Sequence, residues 1–157
     1  MIKSIKGDLL KADTDALVNA VNCVGVMGKG IALQFKKAFP ENFKEYTKEC
    51  EKGNMRIGKM FVYSIGTLFP PKYIINFPTK RYWKSNSRLD DIKQGLDDLG
   101  KVVRDLNIKS IAIPPLGSGL GGLNWAEVRS LIVDSFANIS DVEVLIYEPN
   151  GILEKNK

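Results

Sequence analysis

The sequence predicts an α/β domain built on a mostly parallel sheet, and three observations carry that reading. Ala16 to Val21 is a nearly continuous apolar run, the pattern of a strand buried on both faces. Short runs of this kind are interleaved with amphipathic helical stretches along the chain, the order that builds parallel sheets. Two of them, ending at Val21 and at Pro114, pass directly into glycine loops that open helices. A strand, glycine loop and helix start aim backbone N–H groups and a helix dipole at one point, where an anion is stabilised.

Taken in order, Met1 to Lys6 alternates imperfectly and meets Gly7-Asp8, a first strand ending in a turn. Asp8 is there either a turn or cap residue or a ligand contact. The second strand leads through Asn19 and Asn22 into Gly25, Gly28 and Gly30, which are expected to take positive φ and let a ligand approach the backbone. A helix begins near Gly30 with Ile31 and Phe35 on one face. Pro40 ends it and opens the next, whose apolar face carries Phe43, Tyr46 and Cys50 and which stops at Gly53. Met60 to Ile65 and Tyr73 to Phe77 read as strands joined by the Gly66 to Pro71 loop. Ser87 is expected to cap a long helix with Asp90 three residues on, and Leu89, Ile92, Leu96, Leu99, Val103 and Leu106 form its core stripe. The strand Lys109 to Pro114 enters the second glycine loop, Asn124 caps a helix with Glu127 as its partner, and Val142 to Tyr147 is the last strand. Residues 1–150 make the domain, and Glu148 to Lys157 is expected to be a short, frayed polar tail.

Composition narrows the function. A chain of 157 residues is long enough, as one domain, to bury roughly 68–70% of its unfolded surface. No apolar run reaches the roughly 18–20 residues of a membrane span, and MIKSIKGD lacks the apolar core of a signal peptide, so a cytoplasmic protein is expected. The chain has no histidine, which excludes Ser-His-Asp and Cys-His nucleophile systems and every histidine metal site. Cys23 and Cys50 lack CxxC spacing, so neither a disulfide framework nor a zinc site is indicated, and no metal or cofactor is expected. Chemistry therefore falls to Lys, Asp, Glu, Asn, Ser, Tyr or Cys. The net charge of +5 permits a polyanionic partner.

Two familiar glycine motifs fail on detail. Gly25 stands only two residues before Gly28-Lys29, and Gly30 follows where a P-loop needs Ser or Thr for magnesium. Gly117, Gly119 and Gly122 match GxGxxG, but that fingerprint belongs to an opening βαβ unit, and here only one helix and one strand remain. The two loops together hold seven of the fourteen glycines, enough to form two N–H-lined walls around a diphosphate. Between them in sequence, Pro78 to Arg88 packs four cations and two aromatics into eleven residues at a strand's carboxyl end. That mixture either tracks a phosphate backbone and stacks on a base or is a surface loop pinned by Trp83.

With KGDLL at Lys6, NAVNCVGVMGKGIALQF at Asn19, INFPTKRYW at Ile75 and PPLGSGLGGLNW at Pro114, the chain resembles a macrodomain, the ADP-ribose-binding module, over Met1 to about Pro149. It is most similar to the DarG branch, antitoxins that remove ADP-ribose from DNA, related to the human terminal ADP-ribose glycohydrolase. The resemblance implies a three-layer α/β/α sandwich around a mixed, mostly parallel sheet of about six strands. It also implies a monomer acting on ADP-ribosylated thymidine in single-stranded DNA, with ADP-ribose as product and a DarT-type toxin as partner. Asp8 would accept from the adenine amino group beside Leu9. Asn22 would contact the distal ribose and help hold the catalytic group, with Asn19 supporting the loop. Gly28, Lys29, Gly30 and Ile31 would wrap the diphosphate and distal ribose from one side, and Gly117, Ser118, Gly119, Leu120 and Gly121 from the other. Lys80 would be catalytic, as an ammonium assisting the departing base or as an amine attacking the anomeric carbon, its pKa depressed by Arg81 and Lys84. Thr79, Arg81, Tyr82, Trp83 and Arg88 would meet the DNA. The human relative pairs its lysine with an aspartate in the second glycine loop, and here Gly121 or Gly122 takes that place, as in the DarG branch. The alternatives are a hydrolase of small ADP-ribose derivatives, O-acyl-ADP-ribose or ADP-ribose 1''-phosphate, and a non-catalytic ADP-ribose reader.

Overall fold

A computed structural model describes residues 1–149 of the chain. Six strands, β1 (Ile2–Ile5), β2 (Ala16–Val21), β3 (Phe61–Ser64), β4 (Tyr73–Pro78), β5 (Ser110–Ile113) and β6 (Glu143–Tyr147), form one sheet in the order β1-β6-β5-β2-β4-β3. Every neighbouring pair is parallel except β3 with β4. The four helices are α1 (Gly30–Ala38), α2 (Pro40–Glu51), α3 (Leu89–Asp105) and α4 (Trp125–Phe136).

The period-two geometry of β2 and β4 divides the core into two layers. Ala16, Val18, Ile75 and Phe77 face α3 and α4, where Ile92, Leu96, Leu99, Val103, Val128, Ile132 and Phe136 cover them. Leu17 and Ile74 point to the opposite face, against Phe35 of α1. Met27, Tyr46 of α2 and Met55 close the end of that layer. The result is an α/β/α sandwich, as expected. Helix α3 packs tightly on β4: a Cβ added at Gly95 would collide with the Phe77 ring, so only glycine lets the helix approach that far.

Three local readings change. The N-cap of α3 is Arg88, without a side-chain cap bond, because Ser87 is buried against the second glycine loop instead of facing the helix start. Leu106 lies beyond α3 and is 37% exposed, so the core stripe ends at Val103. Glu148 is not frayed, since its amide donates to the Ile5 carbonyl at 3.0 Å and extends the β1-β6 pairing; the rest of the expected tail, from residue 150, lies outside the described residues. The Asn124 cap stands, its Oδ1 accepting from the Glu127 amide at 3.1 Å.

Gly95→Ala should destabilise the fold by about 1–3 kcal/mol, the usual cost of overpacking. Urea or thermal unfolding checks it, and a neutral result would mean that α3 can slide away from Phe77.

Candidate functional site

The loops that carry the candidate residues all leave the carboxyl ends of parallel strands and meet on one edge of the sheet. The chain leaves β2 toward α1 on one face and leaves β5 toward α4 on the other. Connections that diverge in this way open a crevice between the two strands, where open α/β sheets bind ligands. The two glycine loops line it and touch across it: a Cβ placed on Gly30 would lie 3.5 Å from Leu120 Cδ1. Gly25, Gly30 and Gly117 have φ of +85°, +60° and +67°, but Gly28 does not adopt positive φ, so its part of that expectation fails.

The first glycine loop is shaped from beneath. Asn22 Oδ1 accepts from the amides of Val24 and Val26 at 3.1 and 3.3 Å, and its Nδ2 donates to the Val26 carbonyl at 2.8 Å. The buried Tyr46 hydroxyl lies 2.8 Å from both Oδ1 and the backbone oxygen of Asn22. Asn22 is thus the loop's organiser, with Oδ1 already occupied by three donors. Asn19 is fully buried below it and faces the protein interior rather than the crevice. Its Nδ2 lies 3.4 Å from Asn76 Oδ1, and Asn76 exchanges amide hydrogen bonds with Asn42 of α2 at 2.8 and 3.2 Å. This amide cluster joins β2, β4 and α2 under the site. A buried amide group left unpaired costs about 1–3 kcal/mol, a cost that the Asn42–Asn76 exchange avoids and that Asn19 Oδ1, buried without a partner, retains.

At the crevice's adenine end in the expected arrangement, Asp8 caps a short 3-10 helix, Leu9–Lys11, by accepting from the Leu10 amide at 3.0 Å. The cap reading is realised, and the carboxylate remains exposed on the same edge. Leu9 is buried beneath it. Tyr147, at the end of β6, carries no local sequence signal as a site residue; burial raises its hydroxyl pKa, and the Asp8 carboxylate adds to the rise.

Lys80 is held by backbone bonds that continue the β2-β4 pairing past the strand ends. Thr79 N–H donates to the Val21 carbonyl at 2.9 Å and Cys23 N–H to the Arg81 carbonyl at 3.0 Å. Lys80 is half-buried, and desolvation lowers its pKa below the ordinary lysine value. The cause differs from the expected one: Arg81 pairs with the buried Asp91 at 3.4 Å, and Lys84 lies over the Trp83 ring, 4.9 Å from its centroid. Thr79 does not face solvent either, being 5% exposed with its hydroxyl donating to the Val21 carbonyl at 3.3 Å. Tyr82 and Trp83 are 62% and 47% exposed, and Arg88 is exposed beside them in sequence. Trp83 is half-exposed, and the Arg81–Asp91 pair ties the loop to α3.

On the opposite wall, Ser87 N–H donates to the Gly121 carbonyl at 2.9 Å, and the buried Ser87 Oγ has no partner. A Cβ at Gly121 would collide with that Oγ and lie 2.5 Å from the Gly117 carbonyl oxygen, so the backbone leaves no room for an aspartate there. Among the described residues no group of three or more His, Cys, Asp or Glu side chains could hold a metal ion, and no helix is long and apolar enough to cross a membrane.

The fold and crevice define a macrodomain: the Macro domain family model matches residues 18–132, and the chain belongs to that family. It is 57% identical over 151 residues to a DNA ADP-ribosyl glycohydrolase of Mycobacterium tuberculosis, covering 96% of this chain and 43% of that relative. The solved macrodomain of Mycobacterium tuberculosis DarG superposes with a TM-score of 0.94 at 57% identity, over 96% of this chain and 99% of that one. A Thermosipho africanus DNA ADP-ribosyl transferase-DNA ADP-ribosyl glycohydrolase fusion protein is 32% identical over 92% of this chain and 41% of its own length. Thermosipho africanus DarTG in complex with ADP-ribose matches with a TM-score of 0.89 at 33% identity, over 96% of this chain and 42% of that one. The chain thus spans less than half the length of these curated relatives.

Burial under the first loop holds the Cys23 thiol up at about 11 and also raises Cys50 and Tyr46. The unfolded chain ionises these groups first, so stability is kept below the ordinary thiol value and falls as pH rises from about 9 toward 11. Urea unfolding across that range should show the decline, and Cys23→Ala should flatten part of it; an unchanged slope in the variant would assign the loss elsewhere.

Proposed function

We propose that the chain is a DNA ADP-ribosyl glycohydrolase, removing ADP-ribose from ADP-ribosylated thymidine in single-stranded DNA and acting as antitoxin to a DarT-type transferase. The observation that carries this reading is the half-buried Lys80, its pKa lowered, held by backbone bonds between the first glycine loop and an aromatic, cationic loop. ADP-ribose would lie along the crevice with adenine near Asp8, Leu9 and Tyr147. Its diphosphate and distal ribose would sit between Gly28–Ile31 and Gly117–Gly121, on N–H groups aimed inward. Asn22 would act by holding the first loop in shape, and Tyr82, Trp83 and Arg88 would receive the DNA. In this reading its compartment would be the cytoplasm.

Breaking the N-glycosidic bond builds positive charge on the ribose and negative charge on the departing thymine. As an ammonium, Lys80 would stabilise or protonate that base; as an amine, it would attack the anomeric carbon of the ring-opened ribose. Desolvation raises the amine fraction at neutral pH and supports the second route. Water returns the sugar as free ADP-ribose in either case.

On an oligonucleotide carrying ADP-ribosylated thymidine, Lys80→Ala should lower release by about 10²–10⁴-fold. Free ADP-ribose should still bind within a few-fold of the wild type. Borohydride added during turnover should trap an adduct on Lys80 if the amine route operates, and its absence would leave the ammonium role. Tight ADP-ribose binding without release by the wild type would instead make the protein a reader.

A further inference from the structure

A second concavity adjoins the strand-end crevice. It is a cleft of about 410 Å³, within the range of roughly 300–1,000 Å³ usual for small-ligand sites. Its walls come from the first glycine loop, the turn between α2 and β3, the basic loop and α3. Cys23 and Arg81 both line it, and they are the residues joined by the backbone bond described above. The cleft therefore begins one residue beyond Asn22 on one strand extension and one residue beyond Lys80 on the other.

The chemistry of its lining is divided. Val24, Met55 and Ile57 give it an apolar surface, whereas Arg56, Arg81 and Tyr82 stand around it. The charges are not equivalent. Asp91 neutralises Arg81, and Gln94 Nε2 is engaged by Asp90 at 3.1 Å, but exposed Arg56 makes no ion pair among the described residues. Tyr82 stacks on no other ring among the described residues. One free cation, one free aromatic face and an apolar surface in a single cleft match the three parts of a nucleotide strand: a phosphate, a base face and the sugar's apolar edge.

We propose that this cleft holds the nucleotide adjacent to the modified one, with its base against Tyr82 and its phosphate on Arg56. The inference rests on the glycohydrolase reading and supplies it with a source of DNA preference, since a small ADP-ribose derivative has no neighbouring nucleotide to place there. Arg56 lies outside the basic loop, twenty-four residues before Lys80 in sequence, and only the fold brings it to the site.

The test compares the wild type with Arg56→Gln and Tyr82→Ala on two modified substrates and one unmodified ligand. On a single-stranded oligonucleotide with one ADP-ribosylated thymidine, each variant should lose about tenfold in kcat/KM, the size of one stacking or phosphate contact. On ADP-ribosylated thymidine nucleoside the loss should be smaller by about the same factor. Equal losses on both substrates, or none on either, would overturn the proposal. Binding of a fluorescent unmodified oligothymidine, titrated with salt, is read independently of turnover. Arg56→Gln should reduce the slope of log K against log[salt] by about 0.7, the value for one phosphate on a single strand, and an unchanged slope would also overturn it. If the wild type releases no ADP-ribose from either modified substrate, the glycohydrolase reading fails while the salt slope still decides the cleft. Arg56 and Tyr82 are both exposed, so thermal unfolding should confirm that the variants fold.

Discussion

Two backbone hydrogen bonds, Thr79 N–H to the Val21 carbonyl and Cys23 N–H to the Arg81 carbonyl, are the constraint on which the site depends. They continue the β2-β4 pairing beyond Pro78, where proline would otherwise end it. The first glycine loop and the basic loop leave the sheet on this shared frame. Lys80 sits between the two bonds, its backbone flanked on both sides by pairing to the β2 extension. Catalytic groups gain most from placement within a fraction of an ångström, and rigid elements supply that better than free loops do. The buried amides of Asn19, Asn42 and Asn76 brace the frame from below, and Tyr46 braces Asn22 above them.

Much of this was legible in the chain because it is written in local pattern. The apolar run Ala16 to Val21, the stripe along α3 and the glycines around Gly30 and Gly117 each follow from the periodicity or the backbone freedom of a few neighbouring residues. What stayed hidden depends on pairs far apart in sequence. Ser87 has the composition of a helix cap, yet its place against Gly121 is decided by how α3 docks on the β5 loop. Thr79 and Arg81 stand in a cationic, aromatic stretch that reads as one surface, but β2 takes the first inward and Asp91 ties the second. Asn22 reads as a ligand contact because it is polar and ends a strand; only the position of Tyr46 on α2 shows that its carboxamide is engaged in shaping the loop. Tyr147 reads simply as the end of a strand, because nothing near it in sequence points to Asp8, whose charge raises its pKa only in the fold.

The electrostatics of the site follow from burial more than from charge count. Four cations fall between Pro78 and Arg88, and like charges at that density would be expected to depress one another's pKa. Instead Arg81 is paired with Asp91 and Lys84 lies over Trp83, and the lowering at Lys80 comes from desolvation alone. That distinction matters for function. A pKa lowered by neighbouring cations would return toward its ordinary value as salt screens them, whereas one lowered by burial is held by the packing of the crevice itself.

The absence of a carboxylate at Gly121 is a packing consequence as well. A side chain of any kind there would meet Ser87 Oγ and the Gly117 carbonyl, whereas Gly122 has room and a φ of +80°, a region that Asp141 also occupies at +64°, so packing excludes an aspartate at Gly121 alone. An acid cannot be restored at Gly121 by substitution alone, because the loop would have to lift off Ser87 and lose the bond from the Ser87 amide to the Gly121 carbonyl. The same contact closes this wall of the crevice, and under the proposed activity it would leave the chemistry to Lys80 and to water. A half-buried lysine with lowered pKa can serve either as a neutral nucleophile or as a protonated acid, and while its nitrogen is bound to a sugar it cannot also be the proton donor.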